Sequence, residues 1–240
     1  MLLELSLILC FYRKCLELGV DIICAQGGEG GGHTGDVPTT ILIPTVAQLC
    51  RGHKSPFTKQ DVQVIAAGGL FNGQSLAAAL TLGATGVWIG TRFVLSKEAG
   101  APKAHKEAVR TSGFDDNIRT IIFTVRTYPP VCSRSKLTIF QGRPLRVRNN
   151  SYIDNWETNR QGEIKELTGK GKIPVEHDME TMGDDIDDDT LDNARPFLMG
   201  KAAAVVNDEL SAKEIIDDMV GSAVKWLATT NGFVVSKSSL

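Results

Sequence analysis

One histidine lies inside the densest run of glycines in the chain, Gln26-Gly27-Gly28-Glu29-Gly30-Gly31-Gly32-His33-Thr34-Gly35-Asp36. Imidazole exchanges a proton near neutral pH, and glycines leave the space around it open to a small substrate, so His33 is the candidate acid or base. A lone histidine is more often structural; the loop is what singles this one out. Gly68-Gly69 and Gly90-Thr91 each end a short apolar run, Gly69 and Gly90 being 21 residues apart. Backbone N–H groups without a Cβ in the way can close on an anion, and successive strand ends of this kind form a phosphate cradle. The simpler alternative is that these glycines only make tight strand-to-helix turns. No G-x-G-x-x-G follows either run, which argues against a dinucleotide fingerprint. His53, His105 and His177 stand in polar contexts and read as surface residues. The acidic run Asp184 to Asp189 reads as a solvated loop, since it lacks the central Gly and terminal Glu of a calcium loop, and no metal site is expected.

The elements that must hold these loops follow from periodicity. Leu5, Ile8, Leu9, Tyr12 and Leu16 recur at helical spacing up to Leu18-Gly19. Val20 to Ala25 is a short apolar run, predicted as a strand covered on both faces. Thr45 to Arg51 predicts a short helix, Val62 to Ala67 a second strand, Ser75 to Leu82 a helix stopped at Gly83, and Gly86 to Ile89 a third strand. Short buried strands alternating with helices imply a parallel sheet. Further on, Lys97 to Ser112 predicts an amphipathic helix and Thr120 to Val125 an extended piece. Residues 126–190 are mixed and turn-rich. Two C-terminal helices are predicted, Leu191 to Asn207 and Ser211 to Leu227, the second with a Ser211-x-x-Glu214 capping box. The division expected is 1–112 for the α/β part, 113–189 for an irregular insertion or lid, and 190–240 for helices packing on the first part.

Composition narrows the classes. With 42% hydrophobic and 22% charged residues the chain is an ordinary globular one. Its formal charge of -2 gives no basic field for nucleic acid. Of its 24 glycines, 14 fall between Gly19 and Gly90. Five cysteines without a C-x-x-C pair read as reduced thiols. Leu2 to Phe11 is too short for a membrane span and lacks a basic flank, so no membrane association is expected and the chain reads as cytoplasmic.

Three ordered motifs, Gly19 to Gly35, Val64-Ile-Ala-Ala-Gly-Gly-Leu70 and Gly86-Val-Trp-Ile-Gly-Thr-Arg-Phe93, resemble the nitronate monooxygenase family, formerly called 2-nitropropane dioxygenases. The resemblance runs from about Leu16 to Arg110, and more loosely through Phe140 to Asn149 and the C-terminal helices. It implies an FMN-dependent (β/α)8 TIM barrel that oxidises alkyl nitronates with O2 to a carbonyl compound and nitrite. By the same resemblance His33 is the catalytic histidine, serving as base toward the nitroalkane Cα proton or interacting with the nitronate, and Gln26 and Gly31 contact flavin. Gly68, Gly69, Trp88, Ile89, Gly90 and Thr91 hold the FMN phosphate.

In the family these three motifs follow the sixth, seventh and eighth barrel strands, whereas only about twenty residues precede Val20 here. The expected architecture is therefore α/β, a partial TIM barrel of late strands with a mainly helical C-terminal segment. Such a sheet leaves an edge for self-association, part of which the Leu2 to Phe11 helix can cover. Two other readings are a noncatalytic, partner-binding chain that keeps only the phosphate cradle and an FMN-dependent enoyl-thioester reductase.

Overall fold

The computed structural model describes residues 2–124, 144–183 and 186–233; Val125, Pro129, Pro130, Cys132, the stretch 140–143, Asp184 and Asp185 lie outside them. The chain begins with α1 (Leu2–Glu17), β1 (Ile22–Gln26), β2 (Gly32–His33), α2 (Thr39–Cys50), β3 (Gln63–Ala67) and α3 (Gly73–Thr81). Next come β4 (Gly86–Trp88), α4 (Thr91–Val94), α5 (Lys103–Arg110), β5 (Asn117–Thr120) and β6 (Leu145–Arg148). The remainder holds α6 (Ser151–Asn159), α7 (Gln161–Gly169), α8 (Pro174–Met182), α9 (Asp188–Asn193), a 3-10 turn at Lys201–Val205, and α10 (Ala212–Asn231).

Strands β1, β3 and β4 form a parallel sheet in the order β1-β3-β4. Side chains on a strand alternate between faces, so the burial of Ile23, Ala25, Val64 and Ala66 marks one covered face. Leu42, Ile43, Val46 and Cys50 of α2 and Tyr12 of α1 complete that core. β1 was expected to be covered on both faces, and it is not. Ile22 and Cys24 are exposed, as is Trp88 at 70%. Tyr12, Cys15 and Leu16 of α1 pack on the covered side with α2, whereas the side chains of residues 2–9, most of the helix expected to cover the sheet, lie outside the described ones. Burial on that side pushes the Tyr12 hydroxyl up to about 12, the nearby Cys24, Cys15 and Cys50 thiols adding to the shift.

Helix α2 starts six residues before the expected Thr45 and runs through Pro44. The buried Leu42, Ile43 and Val46 outweigh the backbone hydrogen bond that proline gives up. The helix predicted over Lys97 to Ser112 forms only from Lys103, after Pro102. The one predicted over Leu191 to Asn207 breaks at Pro196 and Gly200. There the chain runs extended, Val147 bridges Leu198, and Arg148 N donates to Phe197 O at 2.9 Å. The strand expected at Thr120 lies just before it, at Asn117–Thr120. α10 carries the predicted Ser211 and Glu214 box and packs against α3. The approach is so close that a Cβ on Gly73 would lie 2.4 Å from Ser222 Cβ.

A second sheet, ordered β2-β6-β5, is antiparallel. Within the turn-rich middle of the chain the described residues from Ser151 to Met182 are largely helical, and α6, α7 and α8 cover one face of this sheet around the fully buried Trp156. Arg160 lies 3.4 Å above the Trp156 ring and donates to both oxygens of the buried Asp178, which also accepts from Tyr152 Oη at 2.8 Å. Burial alone would raise the Asp178 carboxyl, but the hydrogen bonds from Arg160 and Tyr152 outweigh it and hold the group below its ordinary range. A depressed carboxylate stabilises the fold above its unfolded pKa and loses that contribution as pH falls through the folded one. Urea unfolding of the native chain should therefore weaken below about pH 4. Asp178→Asn should be less stable at neutral pH and show a flatter acid limb. Equal acid dependence of the two proteins would contradict this role.

Cys10 is disulfide-bonded, whereas Cys15, Cys24 and Cys50 are free thiols, so the expectation of five reduced cysteines fails at Cys10. No helix among the described residues is long and apolar enough to cross a membrane.

Candidate functional site

Parallel pairing sets the site, because aligned strands release their loops from the same edge. Gln26 pairs with Ala67 and Ala67 with Trp88, so the three carboxyl ends stand in one line across the sheet. The loops bearing His33, Gly68-Gly69 and Gly90-Thr91 leave from that line. Ligand sites of open α/β sheets form outside the carboxyl ends of their strands.

The glycine turns are shaped by close approach. Gly68 has φ +94° and Gly69 φ +72°, where an L side chain is strained. A Cβ on Gly68 would lie 2.7 Å from Gly27 O, and one on Gly69 2.9 Å from Glu29 Cβ. The first and second loops therefore touch through their backbones. Gly90 differs: its φ is an ordinary -101°, and nothing lies within 4 Å of the Cβ it would carry. Thr91 and Ile89 are half-buried, and Thr91 Oγ1 accepts from Gly200 N at 2.9 Å.

The His33 loop is tied down on several sides. Gln26 Nε2 donates to His33 O at 3.0 Å and to Gly31 O at 3.3 Å. Thr34 Oγ1 donates to Gly27 O at 3.0 Å. Gly31 packs on the backbone of Met199 and Gly200, which leaves no room for a Cβ there. His33 pairs with Leu145 across β2 and β6, and its side chain is exposed. His33 and Gln26 thus belong to one unit, with the Gln26 amide spent on the loop's own carbonyls.

Several residues that hold the site were not foreseen. Glu29 accepts from Thr39 N at 2.9 Å and from Thr39 Oγ1 at 2.7 Å, capping α2, whose N-cap residue is Pro38 and offers no side-chain bond. Thr39 Oγ1 also lies 2.9 Å from Gly68 O, and its single proton is shared between the Glu29 carboxylate and this carbonyl, joining the first two loops. Arg146 donates through Nη2 to Gly28 O at 2.8 Å from a position 118 residues away. Glu29 was visible inside the motif, but its partner lay in another element; Arg146 carried no local signal beyond the looser resemblance through Asn149. His105, read as a surface residue, contacts Leu198 O at 2.8 Å and stacks on Phe197. Among the described residues no three His, Cys, Asp or Glu side chains are grouped to hold a metal ion.

The sequence model of nitronate monooxygenase matches residues 11–222. The chain belongs to the nitronate monooxygenase family. An indene-4-carboxyl-CoA dehydrogenase of Mycobacterium tuberculosis is 33% identical over 241 residues, covering 92% of this chain and 64% of that protein. A nitronate monooxygenase of Neurospora crassa is 28% identical over 229 residues, covering 92% of this chain and 53% of that protein. The chain thus spans between about half and two-thirds of the length of these relatives. Among solved structures, FabK from Thermotoga maritima superposes with a TM-score of 0.66 at 24% identity, over 93% of this chain and 60% of that one. A nitroalkane oxidase from Streptomyces ansochromogenes superposes with a TM-score of 0.63 at 22% identity, over 91% of this chain and 56% of that one. At these identities the likeness is one of fold.

Proposed function

We propose that this chain carries the flavin-holding and proton-handling part of a nitronate monooxygenase, oxidising alkyl nitronates with O2 to a carbonyl compound and nitrite. The observation that carries the reading is the alignment of Gln26, Ala67 and Trp88, which brings the three glycine loops to one edge. The residues fit FMN. Open space lies in front of Gly90, and the close packing of Gly68 and Gly69 against Gly27 and Glu29 fixes the neighbouring turn at the same sheet edge. In this reading the backbone of Gly68, Gly69 and the stretch from Trp88 through Ile89 and Gly90 to Thr91 holds the phosphate, while Gln26 and Gly31 border the ring system.

When bound, FMN supplies the redox chemistry with O2. The protein's share is binding, orientation and one proton. His33 sits beyond the strand ends with its imidazole exposed, free of Cβ crowding from the glycines on its N-terminal side. It can take the proton from the Cα of a nitroalkane or hold the nitronate oxygens by hydrogen bonding. Gln26 fixes the His33 carbonyl, so the backbone carrying the imidazole is held from the sheet.

We read the sheet as the late strands of a (β/α)8 barrel, with residues 1–112 as the barrel part, 113–189 as an insertion or lid segment and 190–240 as the C-terminal segment packing on the barrel part. Among the described residues β1 and β4 are edge strands, and the face bearing Ile22, Cys24 and Trp88 is uncovered. Self-association through that edge and face follows from the same reading. The 33% identity to a CoA-ester dehydrogenase favours a second reading, an oxidoreductase acting on a thioester.

Oxygen uptake separates the two. With FMN and an alkyl nitronate the chain should consume O2 and release nitrite. Turnover of an enoyl-CoA with reduced nicotinamide and none of a nitronate would favour the thioester reading, and flavin binding with neither turnover would leave a noncatalytic cradle.

A further inference from the structure

Arg119 and Arg146 are direct cross-strand partners on β5 and β6. They therefore share one face of that sheet, the side opposite the Trp156 core, and like charges so placed repel. Arg146 is 9% exposed and Asn117 is 5% exposed. Arg146 Nη1 donates to Asn117 Oδ1 at 3.1 Å and Nη2 to Gly28 O at 2.8 Å, and among the described residues no carboxylate pairs with this guanidinium. Burial lowers the Arg146 pKa, Arg119 lowers it further, and Asp36 and Glu29 offset the effect from a distance. Among the described residues the direct ion pair in the group joins Arg119 Nη1 to Asp36.

Five buried side-chain polar atoms among the described residues have no hydrogen-bond partner, and three of them are here: Asn117 Nδ2, Arg119 Nε and Arg146 Nε. All three are donors. Buried donors left unmatched carry their full desolvation cost, and a cluster containing only donors is satisfied by an acceptor with several lone pairs. Two guanidinium groups presenting donors side by side match the oxygens of a carboxylate or phosphate group. The cluster opens at one end, where the Arg119 side chain is 25% exposed and that of Asp36 65% exposed.

We propose that Arg119, Arg146 and Asn117 form an oxyanion-binding site that takes a carboxylate or phosphate group of a ligand, which displaces Asp36 from Arg119. The site is independent of the flavin reading. It meets the His33 loop at the Gly28 carbonyl and at Asp36, on the face of the small sheet opposite His33. Asp36 acts as a resident stand-in, three residues beyond His33, so occupancy of the site frees that end of the loop.

The test uses the full chain without flavin at low ionic strength, titrated with inorganic phosphate and separately with acetate. The Nε–Hε NMR signals of Arg119 and Arg146 report binding, assigned with Arg119→Lys and Arg146→Lys. Saturable shifts of both signals are expected. Arg119→Gln should weaken binding roughly tenfold or more, and Asp36→Asn, which removes the competing carboxylate, should tighten it. Response to both anions marks a general oxyanion site, and response to phosphate alone a phosphate-ester site. The proposal is overturned if neither anion moves either signal, if Arg119→Gln leaves affinity unchanged, or if Asp36→Asn weakens binding. Phosphate held only at the Gly68-Gly69 turn would leave both arginine signals in place.

Discussion

Replacing His33 by Asn is expected to lower nitroalkane-dependent oxygen uptake by about 10²–10⁴-fold while bound flavin is retained, the range typical for loss of a positioned acid or base. The described ties of this residue to Gln26 and Leu145 run through its backbone. The His33 carbonyl still accepts from Gln26, and the β2–β6 pairing is a backbone contact, so the loop keeps its ties. A flavin spectrum measured beside the rate separates the two roles. Lost turnover with flavin in place assigns the proton to His33. Unchanged turnover would make the histidine a structural loop residue, and joint loss of flavin and turnover would mean that the side chain holds the loop.

Gly68→Ala is expected to have the second large effect, on stability and flavin affinity together. A side chain at φ +94° is strained, and its Cβ would stand 2.7 Å from Gly27 O, a backbone atom that can yield only if the first loop moves. Strain and displacement together should cost about 2–4 kcal/mol in urea unfolding. FMN affinity should fall roughly tenfold or more, since 1.4 kcal/mol of lost binding is a factor of ten. Gly90→Ala provides the contrast. Its φ is ordinary and the space beyond it is open, so stability should stay within about 0.5 kcal/mol. Flavin should still weaken, because the new methyl occupies space assigned to the phosphate. If both variants bind FMN like the native chain, these turns do not form the cradle.

The local parts of the fold were legible because they rest on local physics. The apolar runs at Ile22–Gln26 and Gln63–Ala67, the Leu-Gly helix stops and the Ser211 cap depend on neighbours a few residues away. Their arrangement into a parallel sheet followed from the helices between them. What failed was set by distant packing. The helix expected from Thr45 starts at Thr39, because the burial of Leu42 and Ile43 carries it through Pro44. The covered and open faces of β1 could not be told apart from an apolar run alone, because its composition is silent about which helices pack where. Within the site, the glycines announced themselves as a motif. The supports did not: Thr39 joins Glu29 to Gly68, and Arg146 reaches Gly28 from a strand 118 residues away. Hydrogen bonds of that span leave no periodicity to read.

Flavin binding by the full chain tests the assignment most directly. Purified protein mixed with FMN and freed of excess ligand should be yellow, hold close to one flavin per chain and quench the flavin's fluorescence, with Gly68→Ala weakening all three signals. A protein that folds but stays colourless in excess FMN would contradict the assignment of the three strand-end loops as a flavin site.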